Sequence, residues 1–343
     1  MALRDGLDQW RNRQSQGQYR QMTDIQIGIV LYTDVQLSAA MGLTDLFKVA
    51  GRTAEGLETS STRLRVRHLR AEGEAEPVVV FDSDPDSIGE GVGPCDVLIL
   101  PPSLEPPISA VSAMPVARWL RARHSEGSVL ASVCAGAFLL AETGLLAGRA
   151  VTTHWGSADA FRNRFPDVVL DTDRLIIDGG DIISVGGLMA WTDLGLKLVE
   201  RFLGPVVMAQ TARMLLVDPP GREQRYYSGF APRLTHGDTA ILRAQHFLQS
   251  NAGKEAGLAN LAEQAGLEKR TFLRRFHKAT GMTATDYAQR LRVAKAQEFL
   301  QFGLLPIERI AWEVGYVDPS AFRKIFFRIV GLTPGEYRQR FRA

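Results

Sequence analysis

The chain of 343 residues holds only two cysteines, Cys95 and Cys134, too few for a disulfide framework. It has no apolar run near the roughly 20 residues of a membrane-spanning helix, and its first residues carry no apolar signal segment. These absences exclude a disulfide-stapled secreted scaffold and a helical membrane protein. They lead to the expectation of a soluble, cytoplasmic protein with no membrane partner. No His/Cys/Asp cluster has metal-ligand spacing, so neither a metal nor a cofactor is expected. The glycine-rich "GEGVG" (89–93) is not read as a phosphate loop, because no Lys-Ser/Thr follows and it leads into a strand.

What the chain does have is length and an uneven charge. At this size a single core stops growing, so two domains are expected. The formal net charge is +2, but from Gly257 onward 15 Lys/Arg stand against 8 Asp/Glu, a balance of +7. Everything before carries 25 against 30, a balance of −5. A basic C-terminal third on a mildly acidic remainder points to a polyanion that meets the C-terminal part alone.

Residues 1–21 are polar and aperiodic and read as a mobile leader. "IQIGIVLY" (25–32) reads as a buried strand, and "SAAMGLTDLFKVAG" (38–51) has helical spacing ended by a glycine. "RLRVRHLR" alternates as a strand with one face in water, and "DVLILP" (96–101) and "SVLASV" are short buried strands. Helical stretches follow at 135–147 and 188–203. Alternating strands and helices predict a mostly parallel α/β sandwich over 22–217. Three prolines and three glycines break every period in "VDPPGREQRYYSGFAPRLTHGD" (217–238), so 218–237 reads as a linker. Residues 238–343 then offer only short amphipathic helices, an all-α domain.

That second domain contains a repeat. "LAEQAG" (261–266) matches "IAWEVG" (310–315) at an offset of 49, and "FLRRFHKATGMTATDYAQR" (272–290) matches "FRKIFFRIVGLTPGEYRQR" (322–340) at an offset of 50. Each copy has helix-turn-helix grammar: a small Ala262 or Ala311, a turn glycine at Gly266 or Gly315, then a helix whose paired phenylalanines share one face. The opposite faces carry Lys269, Arg270, Arg274, Arg275 and Lys278 in one copy, and Ser320, Arg323, Lys324 and Arg328 in the other. One helix over 285–302, about 25 Å long, would hold the two second helices roughly one DNA turn apart.

Both units and the closing "GLTPGEYRQRF" make residues 238–341 resemble the DNA-binding domain of AraC/XylS-type transcription regulators. The resemblance implies double-stranded DNA as partner, with Arg270 and Arg274 at base-reading positions of the first unit, and Ser320, Arg323 and Lys324 in the second. Lys269 and Arg275 complete the expected contact set. Arg275 lies about 100° round the helix from Arg274 and is expected on phosphate. Leu273 stands where a polar reader is common.

"SVCAGAFLLAETGLLAGRAVTTHW" runs a strand into Cys134, with Gly136 at the turn and His154 twenty residues on. Through it the first domain resembles the PfpI-like branch of the class I glutamine amidotransferase superfamily, a flavodoxin-like α/β fold. With the AraC-type tail, the whole chain resembles the GlxA family of transcription regulators. In the superfamily's enzymes an acid faces the thiol and a glycine pair follows the fourth strand. Here the acid's position matches Ala39, Pro101 and Pro102 replace the glycines, and Ala135 follows the cysteine. Proline has no amide hydrogen to donate to an oxyanion.

The expected function is therefore a transcription regulator and not an enzyme, with no catalytic residue, an inactive amidotransferase-like domain and a small-molecule effector. The resemblance implies catabolic control, with an amino acid or amine among the effector classes. Cys134, Ala135, His154 and Trp155 are the candidate ligand-lining residues. A homodimer, an activator role and contact with RNA polymerase are expected with it. The competing readings are a cysteine-dependent amidase or glyoxalase-like enzyme fused to DNA-binding helices, and a thiol redox sensor, which would need an exposed, acidic Cys134.

Overall fold

Residues 23–57, 62–71, 76–84, 92–254 and 256–343 are described by a computed structural model. The leader and Gly89–Gly91 of the glycine-rich stretch lie outside the described residues. The chain folds as two compact units, the first ending at residue 151 and resuming over 177–220, the second made of residues 152–176 and 221–343.

The first unit is built on a seven-stranded sheet in the order β3-β2-β1-β4-β5-β9-β8. Its strands are β1 (Thr23–Leu31), β2 (Thr62–Arg70), β3 (Val78–Asp82), β4 (Val97–Leu100), β5 (Val129–Val133), β8 (Ile176–Asp178) and β9 (Ile182–Val185). Two short strands, β6 (Ala150–Val151) and β7 (Val169–Leu170), stand outside it. β1 pairs in parallel with β2 and β4, β4 with β5, and β5 with β9, while β3 runs antiparallel to β2. The fully buried runs of β4 and β9 suit a sheet covered on both faces. This is the flavodoxin-like order, in which the direction of winding reverses between β1 and β4 and opens a crevice at their carboxyl ends. Helices α1 (Leu37–Gly56), α5 (Trp191–Leu203) and α6 (Pro205–Leu215) pack on one another, and α2 (Ala110–Ser125) packs with α3 (Gly136–Ala141) against β5.

Three local expectations change. Helix α1 runs through Gly51 to Gly56, because Ala54 returns to its buried face. The segment expected to be helical from 135 to 147 is helix only to Ala141. There the Thr143 hydroxyl donates to the Leu140 carbonyl at 2.6 Å, and Gly144 turns left-handed. Strand β2 has no water face over Arg65–Leu69, where all five residues are buried. Its polar side is covered because Asp82, on β3, accepts from Arg65 at 2.6 Å and 3.0 Å and from Arg67 at 2.9 Å.

The second unit contains α4 (Ala158–Arg164) and seven further helices: α7 (Thr239–Ser250), α8 (Leu258–Ala265), α9 (Lys269–Thr280), α10 (Ala284–Phe302), α11 (Ile307–Glu313), α12 (Pro319–Val330) and α13 (Pro334–Phe341). The last seven form two separate cores. Ile241, Leu261, Phe272, Phe276 and Tyr287 close the first, and Val293, Ile310, Phe322, Phe326 and Tyr337 close the second. The repeat is thus a repeat of cores.

Burial tends to raise the Asp82 carboxyl, but hydrogen bonds from Arg65, Asp84 N–H and Arg67 hold it below its usual 3.8. A lowered carboxylate stabilises the fold above its unfolded value, and that contribution is lost as pH falls. Asp82→Ala is expected to destabilise the protein by about 3 kcal/mol at pH 7, because it strips a shared anion from two buried guanidiniums. Chemical denaturation checks this, and the loss should shrink towards pH 3. A stability unchanged at pH 7 would show that the three charges contribute nothing net.

Candidate nucleic-acid interface and cysteine elbow

The two helix-turn-helix units share their geometry to the level of single residues. Ala262 and Ala311 are buried where the first helix of each crosses the second. The turn needs a left-handed residue there, which Gly266 (φ 65°) and Gly315 (φ 88°) supply without a Cβ penalty. Thr283 and Thr333 cap α10 and α13 in the same way, each accepting a backbone N–H three residues on. Phe272 and Phe276, like Phe322 and Phe326, are completely buried, and this fixes the rotation of α9 and α12.

With those rings inside, Lys269, Arg270, Leu273 and Arg274 are exposed on α9, and Ser320, Arg323 and Lys324 on α12. Among the described residues Lys269, Arg270, Arg274 and Lys324 have no hydrogen-bond or ion-pair partner. Two arginines differ. Arg275, read as a phosphate contact, turns its guanidinium to Asp238 with bonds of 2.9 Å and 2.6 Å. Asp238 also caps α7 by accepting from Ile241 N–H. The Arg275 hydrogen bond holds this carboxyl below its ordinary value, and the guanidinium is raised in turn. Arg323 is held by a short ion pair to Glu308 of α11. Sequence reasoning missed both counter-ions, since acidic residues 37 and 15 positions away leave no local signal.

Cys134 follows β5 on a sharp elbow, with φ at 53°. Its N–H donates to Val185 O at 2.7 Å, and a Cβ on Gly136 would come within 2.4 Å of Leu100 O, so only glycine fits the turn into α3. The residue is 6% exposed, and burial pushes the thiol up to about 11 although the Ala135 and Gly187 amides donate towards it. Ala39, at the acid's position, is fully buried on α1. Pro101 and Pro102 contribute carbonyls instead of amides: Tyr32 donates its hydroxyl to Pro101 O at 2.5 Å, and Gln36 N–H donates to Pro102 O at 2.7 Å. Tyr32 is buried and its hydroxyl is pushed far up by burial and by the neighbouring Cys134. Nothing in the sequence had marked Tyr32 as a neighbour of the thiol.

The four candidate ligand-lining residues divide between the units. Cys134 and Ala135 form the elbow of the first, while His154 and Trp155 belong to the second. His154 Nδ1 accepts from Gly156 N–H at 3.0 Å and its ring stacks on Trp155 at 5.3 Å, capping a short 3-10 turn. Burial pushes its pKa down, which suits a neutral acceptor. Trp155 N–H donates to Gln224 Oε1 at 2.7 Å, and the residue lines a cavity.

Two family models match the chain: the DJ-1/PfpI family over residues 81–201 and a helix-turn-helix domain over residues 261–340. The HTH-type transcriptional regulator GlxA of Rhizobium meliloti is 29% identical over 224 residues, covering 64% of this chain and 68% of that protein. The HTH-type transcriptional regulator CdhR of Pseudomonas aeruginosa is 26% identical over 246 residues, covering 71% and 72%. A solved AraC family transcriptional regulator from Pseudomonas putida superposes with a TM-score of 0.41 at 17% identity, over 56% of this chain and 99% of that one. The chain joins a DJ-1/PfpI-type α/β domain to an AraC-type pair of helix-turn-helix units, and in this it is similar to HTH-type transcriptional regulators such as GlxA and CdhR.

Proposed function

We propose that this protein is a sequence-specific regulator of transcription whose α/β domain has no thiol chemistry and whose DNA binding responds to a small metabolite. The observation that carries the reading is the duplicated helix-turn-helix with Arg270 and Arg274 open on the outer face of α9. Arginine set against the major-groove edge of guanine makes two hydrogen bonds that no other base accepts in the same way. Lys269 adds phosphate attraction, and Ser320, Arg323 and Lys324 form the matching set on α12. Arg323 must leave Glu308 to reach DNA. Arg275 is reassigned to the fold, because its guanidinium already ties α9 to the cap of α7.

Thiol catalysis needs an anionic sulfur, a partner acid or base, and oxyanion donors. A pKa pushed up to about 11 leaves Cys134 protonated at neutral pH, and Ala39 supplies no acid. The same burial argues against a redox sensor. Exposed apolar side chains on the packed helices α1 and α6, among them Leu37, Met41, Val206 and Met214, support a homodimer. Contact with RNA polymerase and an activator role belong to the same proposal and follow from the kind of regulator it resembles.

Operator binding and random-sequence binding, measured side by side, test the assignment. Arg274→Ala should lower operator affinity about 5- to 100-fold and leave random DNA nearly unchanged. Arg275→Ala should lower the thermal midpoint instead, and leave the salt slope of DNA binding intact where a lost phosphate contact would reduce it by about one. Equal losses on both DNAs for Arg274→Ala would make it a backbone contact. Iodoacetamide should label native Cys134 at pH 8 about 100-fold more slowly than an ordinary thiol, in line with its thiolate fraction; fast labelling would reopen thiol chemistry. Sedimentation of the full chain should give a dimer, and a monomer at all concentrations removes that part of the reading.

A further inference from the structure

A cavity of about 430 Å³ lies wholly within the second unit, a size ordinary for a small metabolite. Its lining comes from four stretches of chain: the segment after His154, the strap at 225–231, Met282 with the following α10, and α12. The strap, within the sequence read as linker, is fixed at one end by Gln224. The residue is 2% exposed, and its side chain accepts from Trp155 N–H and donates to Thr153 O at 3.0 Å and Thr152 Oγ1 at 3.3 Å. A buried amide satisfied on both its oxygen and its nitrogen makes a specific anchor. Further along, Phe230 stands edge-on to Tyr287 of the first core at 5.1 Å, and Arg225 packs over Gly331 beside the second.

The cavity has unused positive charge. Arg225 Nε is buried without a hydrogen-bond partner, and Arg290, on α10, has no ion pair among the described residues. Of the carboxylates on the lining, Asp159 pairs with Arg162 at 3.7 Å and Asp171 with Arg174 at 4.0 Å. Asp173 alone then opposes two unpaired guanidiniums, and it is exposed. A buried donor without an acceptor costs free energy that a bound anion would recover. Trp155 and Phe230 add aromatic surface, and Val293 and Ile329 add aliphatic surface from the second helix-turn-helix.

We infer that this cavity is a binding site for a small organic carboxylate, its anionic end on Arg225 and Arg290 and its apolar body against Trp155 and Phe230. The inference rests on the metabolite-responsive reading above and gives that response a site distinct from the Cys134 elbow. A ligand there touches the strap, α10 and α12 together. It therefore stabilises one arrangement of the second recognition helix on the helix that both cores share, and effector binding and DNA binding become linked.

Thermal shift and calorimetry on the full chain test it, using benzoate and phenylacetate against their neutral amides. The carboxylates should raise the midpoint at millimolar concentration by mass action, and the amides should bind at least about 10-fold more weakly. Arg225→Gln and Arg290→Gln should each weaken carboxylate binding about 10-fold or more, while Cys134→Ser leaves it unchanged. Both arginine variants should keep DNA binding without ligand, which shows that they fold. No shift with either carboxylate, equal binding of the amides, or loss in Cys134→Ser but not in Arg225→Gln would each overturn the inference. None of these outcomes touches the operator assay, which is read without ligand, so failure of the site and failure of the DNA-binding reading remain separate.

Discussion

Helix α10 has to bury its two ends in two different cores, and the geometry of the DNA-binding half follows from that requirement. Ala284, Tyr287 and Ala288 belong to the first core, and Val293, Ala296 and Leu300 to the second. Each core is too small to be comfortably stable alone, since a short chain buries too little of its surface. Sharing a helix gives each unit a wall it does not have to build. It also fixes spacing: at about 1.5 Å per residue, Tyr287 and Leu300 lie roughly 20 Å apart along the axis. Because Phe272 and Phe276 point into one core and Phe322 and Phe326 into the other, the outward faces of α9 and α12 are set by packing before any DNA is present.

On that common frame the two units carry different electrostatics. Arg270 and Arg274 of α9 stand open, while on α12 Arg323 is held by Glu308, and Arg328 is engaged by Gln289 and lies 3.8 Å from Asp286. An open arginine meets a base edge at the cost of its own hydration. One already in an ion pair must give up a partner as well, so the same contact returns less. The repeated sequence therefore carries two outer faces with different free charge, and the difference comes from acidic residues outside both second helices.

This is also where the sequence stops being readable. The paired phenylalanines and turn glycines were legible because each is a local pattern and each occurs twice, so chance agreement is small. The counter-ions were not, since the partner of Arg275 is Asp238, in a different helix cap, and nothing within one turn of either residue announces the other. Strand β2 shows the same limit. Its alternation of arginine with apolar residues is the pattern of a half-wet strand, and only Asp82, folded over from β3, makes that polar side an interior one. Gln224 was hidden by its surroundings, for a stretch rich in proline and glycine gives no reason to expect a buried, fully bonded amide.

The elbow at Cys134 combines a left-handed backbone with a buried thiol whose pKa is pushed up, and the two properties have separate physical causes. The left-handed conformation of a non-glycine residue costs on the order of 1–3 kcal/mol. The fold holds it there through the bond from Cys134 N–H to Val185 O, the bond from Ala137 N–H to Cys134 O, and the contact of Gly136 with the β4 carbonyl. These constraints act on backbone atoms and would act on any small side chain. Reactivity depends instead on what surrounds the sulfur. Here that is a buried phenol tied to Pro101 and two amides too weak to offset burial. The turn and the protonation of the sulfur are thus set by different atoms, the first by backbone bonds and close approach to β9 and β4, the second by burial.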